Sequence, residues 1–125
     1  MLLIQPPGLK FVPRSTISGY DFTAGDFTRD GAWHELNLSA LIASNAKGVG
    51  IHCDVINSGG NRVLAFAPHG LGSAYFRWGD RAMTASETWT MSFPFVPIIG
   101  GPSIDYFFQD SSFGTVNLSI LGWWQ

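Results

Sequence analysis

Few side chains in this 125-residue chain combine type and spacing in the way that chemistry needs. The histidines His34, His52 and His69 lie far apart, and none has the spacing of a metal-ligand pair. Each reads as a surface or internally satisfied histidine. A Cys53 nucleophile would need a nearby base and an open pocket. Its neighbour His52 projects to the opposite face of an alternating run, which argues against that pair. No Gly-x-Ser-x-Gly elbow and no phosphate-binding loop occurs. Asp21, Asp26 and Asp30 form one loose group whose oxygens could hold a calcium ion. Their spacing is not that of an EF-hand loop, so turn-forming aspartates are the favoured reading. Glu35 and Glu87 could in principle act as an acid–base pair, but sequence alone does not bring them together. The expectation is a chain with no catalytic residue, no metal and no cofactor, and so not an enzyme.

The aromatic residues are the other source of function. Five tryptophans is a high count for this length. Exposed tryptophans on a β-sandwich can stack on sugar rings, although core packing explains Trp89 better. Trp123 and Trp124 are adjacent on an expected strand, so they point to opposite faces and only one can enter the core. The other meets a loop, solvent or a partner, and a partner is favoured because an uncovered terminal tryptophan lowers solubility.

These side chains must be carried by strands. Fifteen glycines and seven prolines cut the chain into short pieces that alternate with period two. Val49, Ile51, Cys53 and Val55 share one face, with His52, Asp54 and Ile56 on the other. Cys53 therefore reads as a small buried hydrophobe. Asn57-Ser58-Gly59-Gly60-Asn61 reads as a hairpin loop. Val63, Ala65 and Ala67 then alternate with Leu64 and Phe66 until Pro68. Trp89, Met91, Phe93 and Phe95 alternate with hydroxyl residues and are expected to point inward together. Gly100-Gly101-Pro102 and the segment Asp110 to Gly114 are turns around a strand carrying Ile104, Tyr106 and Phe108. The last strand carries Val116, Leu118 and Ile120. Nearer the start, Tyr20 to Phe22 and Trp33 to Leu38 read as strands about a Thr28-Arg29-Asp30-Gly31 turn, with a bend or helical turn from Ser39. Leu36-Asn37-Leu38-Ser39 echoes Val116-Asn117-Leu118-Ser119, as expected of an early and a last strand lying side by side.

The fold expected is all-β: a single jelly-roll-like sandwich of about eight antiparallel strands spanning residues 15–125, behind an extended, proline-rich arm of residues 1–14. Only 13% of residues are charged, about half the usual share, as suits a subunit whose surface is largely covered by partners. Seven cations against nine carboxylates make no basic face, and the arginines flanking Trp78 do not change this, so nucleic acid is not an expected partner. No stretch has a membrane span's length, and Met1 to Pro7 lacks the features of a signal peptide. A single cysteine allows no internal disulfide.

Gly25-Asp26-Phe27-Thr28-Arg29-Asp30-Gly31-Ala32-Trp33-His34-Glu35-Leu36-Asn37-Leu38-Ser39 resembles the opening of a family of small phage-encoded proteins with the pattern "DFTTDGTWHDLDLSSIVP". Ala46-Lys47-Gly48-Val49 matches the "AKAV" strand that follows there, and Val116 to Trp124 matches the closing "INLTVLGWW". The usual Pro-Ala-Gly is replaced by Ala43-Ser44-Asn45. The resemblance spans about residues 20–125 and implies a component of a tailed-phage virion. Two roles compete. One is a head decoration, or cement, protein that clamps the lattice of the major capsid protein. The other is a tail-fibre or spike tip that reads a host glycan. The absence of a long shaft favours the first. The expected form is a homo-oligomer, a trimer suited to local three-fold positions, meeting partners through Leu2, Leu3, Ile4, Phe11, Trp123 and Trp124.

Overall fold

The computed structural model describes residues 9–16, 19–59, 61–71, 78–83 and 88–125, with residues 78–83 described by their backbone alone. Their eight strands are β1 (Phe11–Pro13), β2 (Trp33–Asn37), β3 (Gly48–Ile56), β4 (Arg62–Pro68), β5 (Trp78–Met83), β6 (Thr88–Pro97), β7 (Ser103–Phe108) and β8 (Thr115–Trp124). The helix among the described residues is one short 3₁₀ turn, Ala24–Asp26.

β1 pairs with β8, β2 with β7, β3 with β6 and β4 with β5, all antiparallel. That is one long antiparallel ribbon, folded back on itself between β4 and β5. Rolling the ribbon up adds the pairs β3–β8 and β4–β7, which close it into two four-stranded sheets of order β1-β8-β3-β6 and β2-β7-β4-β5. This is the jelly roll expected from the strand count and spacing. Pro13, Pro94 and Pro97 stand in β1 and β6, the edge strands of their sheet, where a missing N–H is tolerated and edge-to-edge pairing is discouraged.

The topology corrects several local expectations. Asn57 to Asn61 is not a hairpin loop: it crosses from β3 in one sheet to β4 in the other. The segment Asp110 to Gly114 also crosses between sheets, and the two crossings clamp each other. Ser58 N donates to Ser112 O (2.9 Å), and the Ser112 hydroxyl donates to Asn57 Oδ1 (3.2 Å). The echoing segments do not lie side by side either. β2 and β8 belong to opposite sheets, and the shared pattern arises because each four-residue segment buries its two apolar side chains in the common core: Leu36 and Leu38, Val116 and Leu118. The strand expected at Tyr20 to Phe22 is reduced to a single bridge from Phe22 to Leu118. The expected arm is also shorter. Lys10 and Gln125 exchange backbone hydrogen bonds, and Phe11 to Pro13 form an edge strand, so the sandwich begins at residue 10.

The core lies between the sheets. Val49, Ile51, Cys53 and Val55 are fully buried, as their alternation predicts. Phe108 meets Phe27, Phe66, Tyr106 and Phe113 with ring centroids 5.3–6.2 Å apart, mostly edge to face. Two bulges face each other across Gly50 of β3. Leu121 is the extra residue in β8, and in β6 the pair Pro94-Phe95 stands opposite the single residue Gly50 of β3. Each bulge reverses the in–out phase of its strand. In β6, Phe93 and Val96 face the core, so Phe95 does not join Trp89, Met91 and Phe93 as expected. Its ring lies outside, against Trp124. In β8 the inward series Val116, Leu118, Ile120 resumes at Trp123, which puts Trp124 outside.

Candidate functional site

The outer face of the β1-β8-β3-β6 sheet is organised in rows that follow from strand register. Phe11, Trp124 and Gly48 form the first row, with the Phe95 ring lying over Gly48. Phe11 and Trp124 have ring centroids 5.1 Å apart, and Phe11 is 36% exposed. Pro13, Gly122 and Gly50 form the second row, with Pro94 beside Gly50. The glycines are required by close approach. A Cβ on Gly122 would sit 2.4 Å from Val12 O and 2.6 Å from the Phe11 ring. A Cβ on Gly50 would enter a depression of about 230 Å³ lined by Phe11, Pro94, Leu121 and Trp124. The Trp124 indole is fixed by donating to Pro94 O (2.9 Å).

The third and fourth rows are polar: Ser119, His52 and Ser92, then Asn117, Asp54 and Thr90. Strand alternation placed His52 and Asp54 on this face, and the strands on either side supply hydroxyl and amide partners. His52 Nδ1 lies 2.9 Å from Ser92 Oγ. Asp54 accepts from Thr90 Oγ1 (2.7 Å) and from the Tyr20 hydroxyl (2.9 Å), and the Thr90 hydroxyl is the leading cause that holds its carboxyl below the ordinary range. Asp54 Oδ1 is also 3.4 Å from His52 Nε2. Serine, histidine and aspartate thus stand in sequence, but on a flat strand. There the backbone N–H groups lie in the sheet plane while the side chains stand perpendicular to it. An oxyanion above Ser92 would lack the converging N–H donors of a strand-to-helix elbow. The arrangement suits binding better than acyl transfer.

The opposite sheet holds a second polar group. Glu35 and Asp105 are cross-strand partners, a like-charge pairing that costs energy unless it is relieved. His69 relieves it: Nδ1 is 2.7 Å from Asp105 Oδ1 and Nε2 is 3.9 Å from Glu35 Oε2. Hydrogen bonding to Asp105 is the leading cause that raises the His69 pKa above its ordinary value. Ser103 donates to Glu35 (2.6 Å), and Gly70 N donates to Asp105 (3.0 Å). Glu35 therefore has Asp105 as its carboxylate neighbour, while Glu87 lies outside the described residues. Cross-strand register was the missing signal, because Glu35 and Asp105 are remote in sequence.

The other candidates separate. Asp21 accepts from Arg14 and from Ile120 N, Asp26 from Thr23 N, and Asp30 from Ala32 N with His34 beside it. Asp26 and Asp30 serve their own turns, Asp21 ties its segment to Arg14 and β8, and the three are not brought together. Cys53 is fully buried and on the opposite face of β3 from His52; burial pushes its thiol up to about 12. Of the residues expected to meet partners, Phe11 and Trp124 are neighbours on the outer face, while Trp123 packs against the core. Leu2, Leu3 and Ile4 lie outside the described residues. The backbone at Trp78 and Arg81 forms part of β5, and Arg77 lies outside the description. No family model, no curated protein and no solved structure matches this chain.

Proposed function

We propose that this chain is a structural protein of a tailed-phage virion, a head decoration protein that binds and stabilises the lattice of the major capsid protein and works as a homotrimer. The observation that carries this reading is the corner where β1 meets β8. Lys10 and Gln125 are hydrogen-bonded there, which sets the start of the described chain beside the end of its last strand. The sequence before residue 9 carries Leu2, Leu3 and Ile4, apolar side chains of the kind that attach a subunit to a lattice. The low charge of the chain and the resemblance at Asp26 to Ser39 and Val116 to Trp124 support the same reading. Such a subunit needs broad, shape-matched contact with its lattice.

Removing residues 1–8 tests the attachment, since β1 and its pairing with β8 remain. The shortened protein should keep its fold and be lost from phage heads. Retention on heads at full occupancy would contradict the reading.

A further inference from the structure

We propose that the outer face of the β1-β8-β3-β6 sheet is a binding site for a neutral pyranose sugar, with the ring seated over Gly50 between the aromatic row and the polar rows. The inference is separate from attachment to the virion and holds for a subunit on the head or at the tail.

The first argument is shape. The depression exists because position 50 has no side chain: a Cβ there would be 3.3 Å from Pro94 O and 3.6 Å from the Phe11 ring. Along β3, Gly48 under the aromatic row and His52 in the polar row are four residues apart. At about 3.3 Å per residue this leaves roughly 13 Å, which accommodates one ring lying on the glycine floor. The second argument is chemistry. A pyranose has an apolar C–H face and a rim of hydroxyls. Here Phe11, Trp124, Pro94 and Leu121 give the depression an apolar lining, and strand register puts the hydroxyl of Ser92 and the imidazole of His52 in the next row along the sheet, within reach of a ring's rim. Vicinal sugar hydroxyls both donate and accept, and this row offers both.

The third argument is preorganisation. His52 is held to Ser92, Asp54 to Thr90 and Tyr20, and the Trp124 indole to Pro94 O, so little side-chain freedom remains to be lost on binding. Charge narrows the class further. The polar rows contain one carboxylate, Asp54, and no lysine or arginine, which disfavours an anionic ligand.

The test uses the intact chain and the Trp124 indole N–H as an NMR reporter. The probes are the methyl glycosides of glucose, galactose and mannose, with cyclohexanol as an apolar ring without the hydroxyl rim. At least one glycoside should shift the Trp124 signal saturably in the millimolar range, and cyclohexanol should not. Ser92→Ala changes an exposed side chain and His52→Ala a half-buried one; each should weaken the response about tenfold, the loss expected from one strong hydrogen bond. The proposal is overturned if no glycoside shifts the signal, if cyclohexanol matches the sugars, or if both variants bind as the parent does. Particle attachment is measured separately, so either result can fail without the other.

Discussion

At the scale of single residues, the titrating groups make two checkable statements. His69 sits between Asp105 and Glu35, and its pKa in the folded protein is above the ordinary 6.5. Its contribution to stability is therefore complete below 6.5 and is lost as pH rises through the raised folded value. The melting temperature should fall between about pH 6 and about pH 8, and this fall should be smaller in His69→Gln. An equal fall in both proteins would remove His69 from the explanation. Asp54 and Asp110 act in the opposite sense, because their depressed pKa values add stability that disappears only on strong acidification. Cys53, with its thiol pushed up to about 12 and no exposed surface, should resist thiol reagents in the native protein and react promptly once the protein is unfolded. Labelling of the native protein at the unfolded rate would contradict its placement. The buried identity of Cys53 was legible from alternation alone. The His69–Asp105–Glu35 contact was not, because it depends on which strands become neighbours.

At the scale of elements, strand positions were readable and phase was only partly so. Alternation placed β3 and the first half of β6 correctly, since each keeps period two where the register is regular. It failed at Phe95, because a bulge adds one residue and turns every later side chain over. Nothing local in Pro94-Phe95-Val96 announces that reversal; it arises from fitting β6 and β8 to the same stretch of β3. The crossing loops were misread for a related reason. A run such as Asn57-Ser58-Gly59 turns the chain whether it continues in one sheet or crosses to another. The fit of β1 onto β8 yields a direct prediction. Gly122→Val would drive a side chain into Val12 O, the Phe11 ring and Pro13 Cα, all within 2.9 Å of the new Cβ. Destabilisation of about 1–3 kcal/mol should follow, with faster amide exchange at Lys10 and Gln125. Unchanged exchange there would mean that β1 is not held as described. In the core, Phe108→Ala removes the ring at the centre of the aromatic cluster and should cost about 3–5 kcal/mol in denaturant titration.

At the scale of the whole molecule, the jelly roll explains why so few charges suffice. Two four-stranded sheets cover each other's inner faces, and prolines stand in both edge strands of one sheet. What remains for recognition is the outer faces and the corner where β1 and β8 end. The sequence carried the class of fold through strand number, turn spacing and the lack of helical periodicity. It could not carry the rows on the outer face, because Gly50, Ser92 and Trp124 meet only after the ribbon has rolled up. The central claim is that this fold attaches to a phage head in a lattice-wide array. Counting copies on purified particles, by gel densitometry or direct imaging, tests it most directly. The account predicts many tens to hundreds of copies spread over the head, whereas a few copies confined to the tail would contradict it.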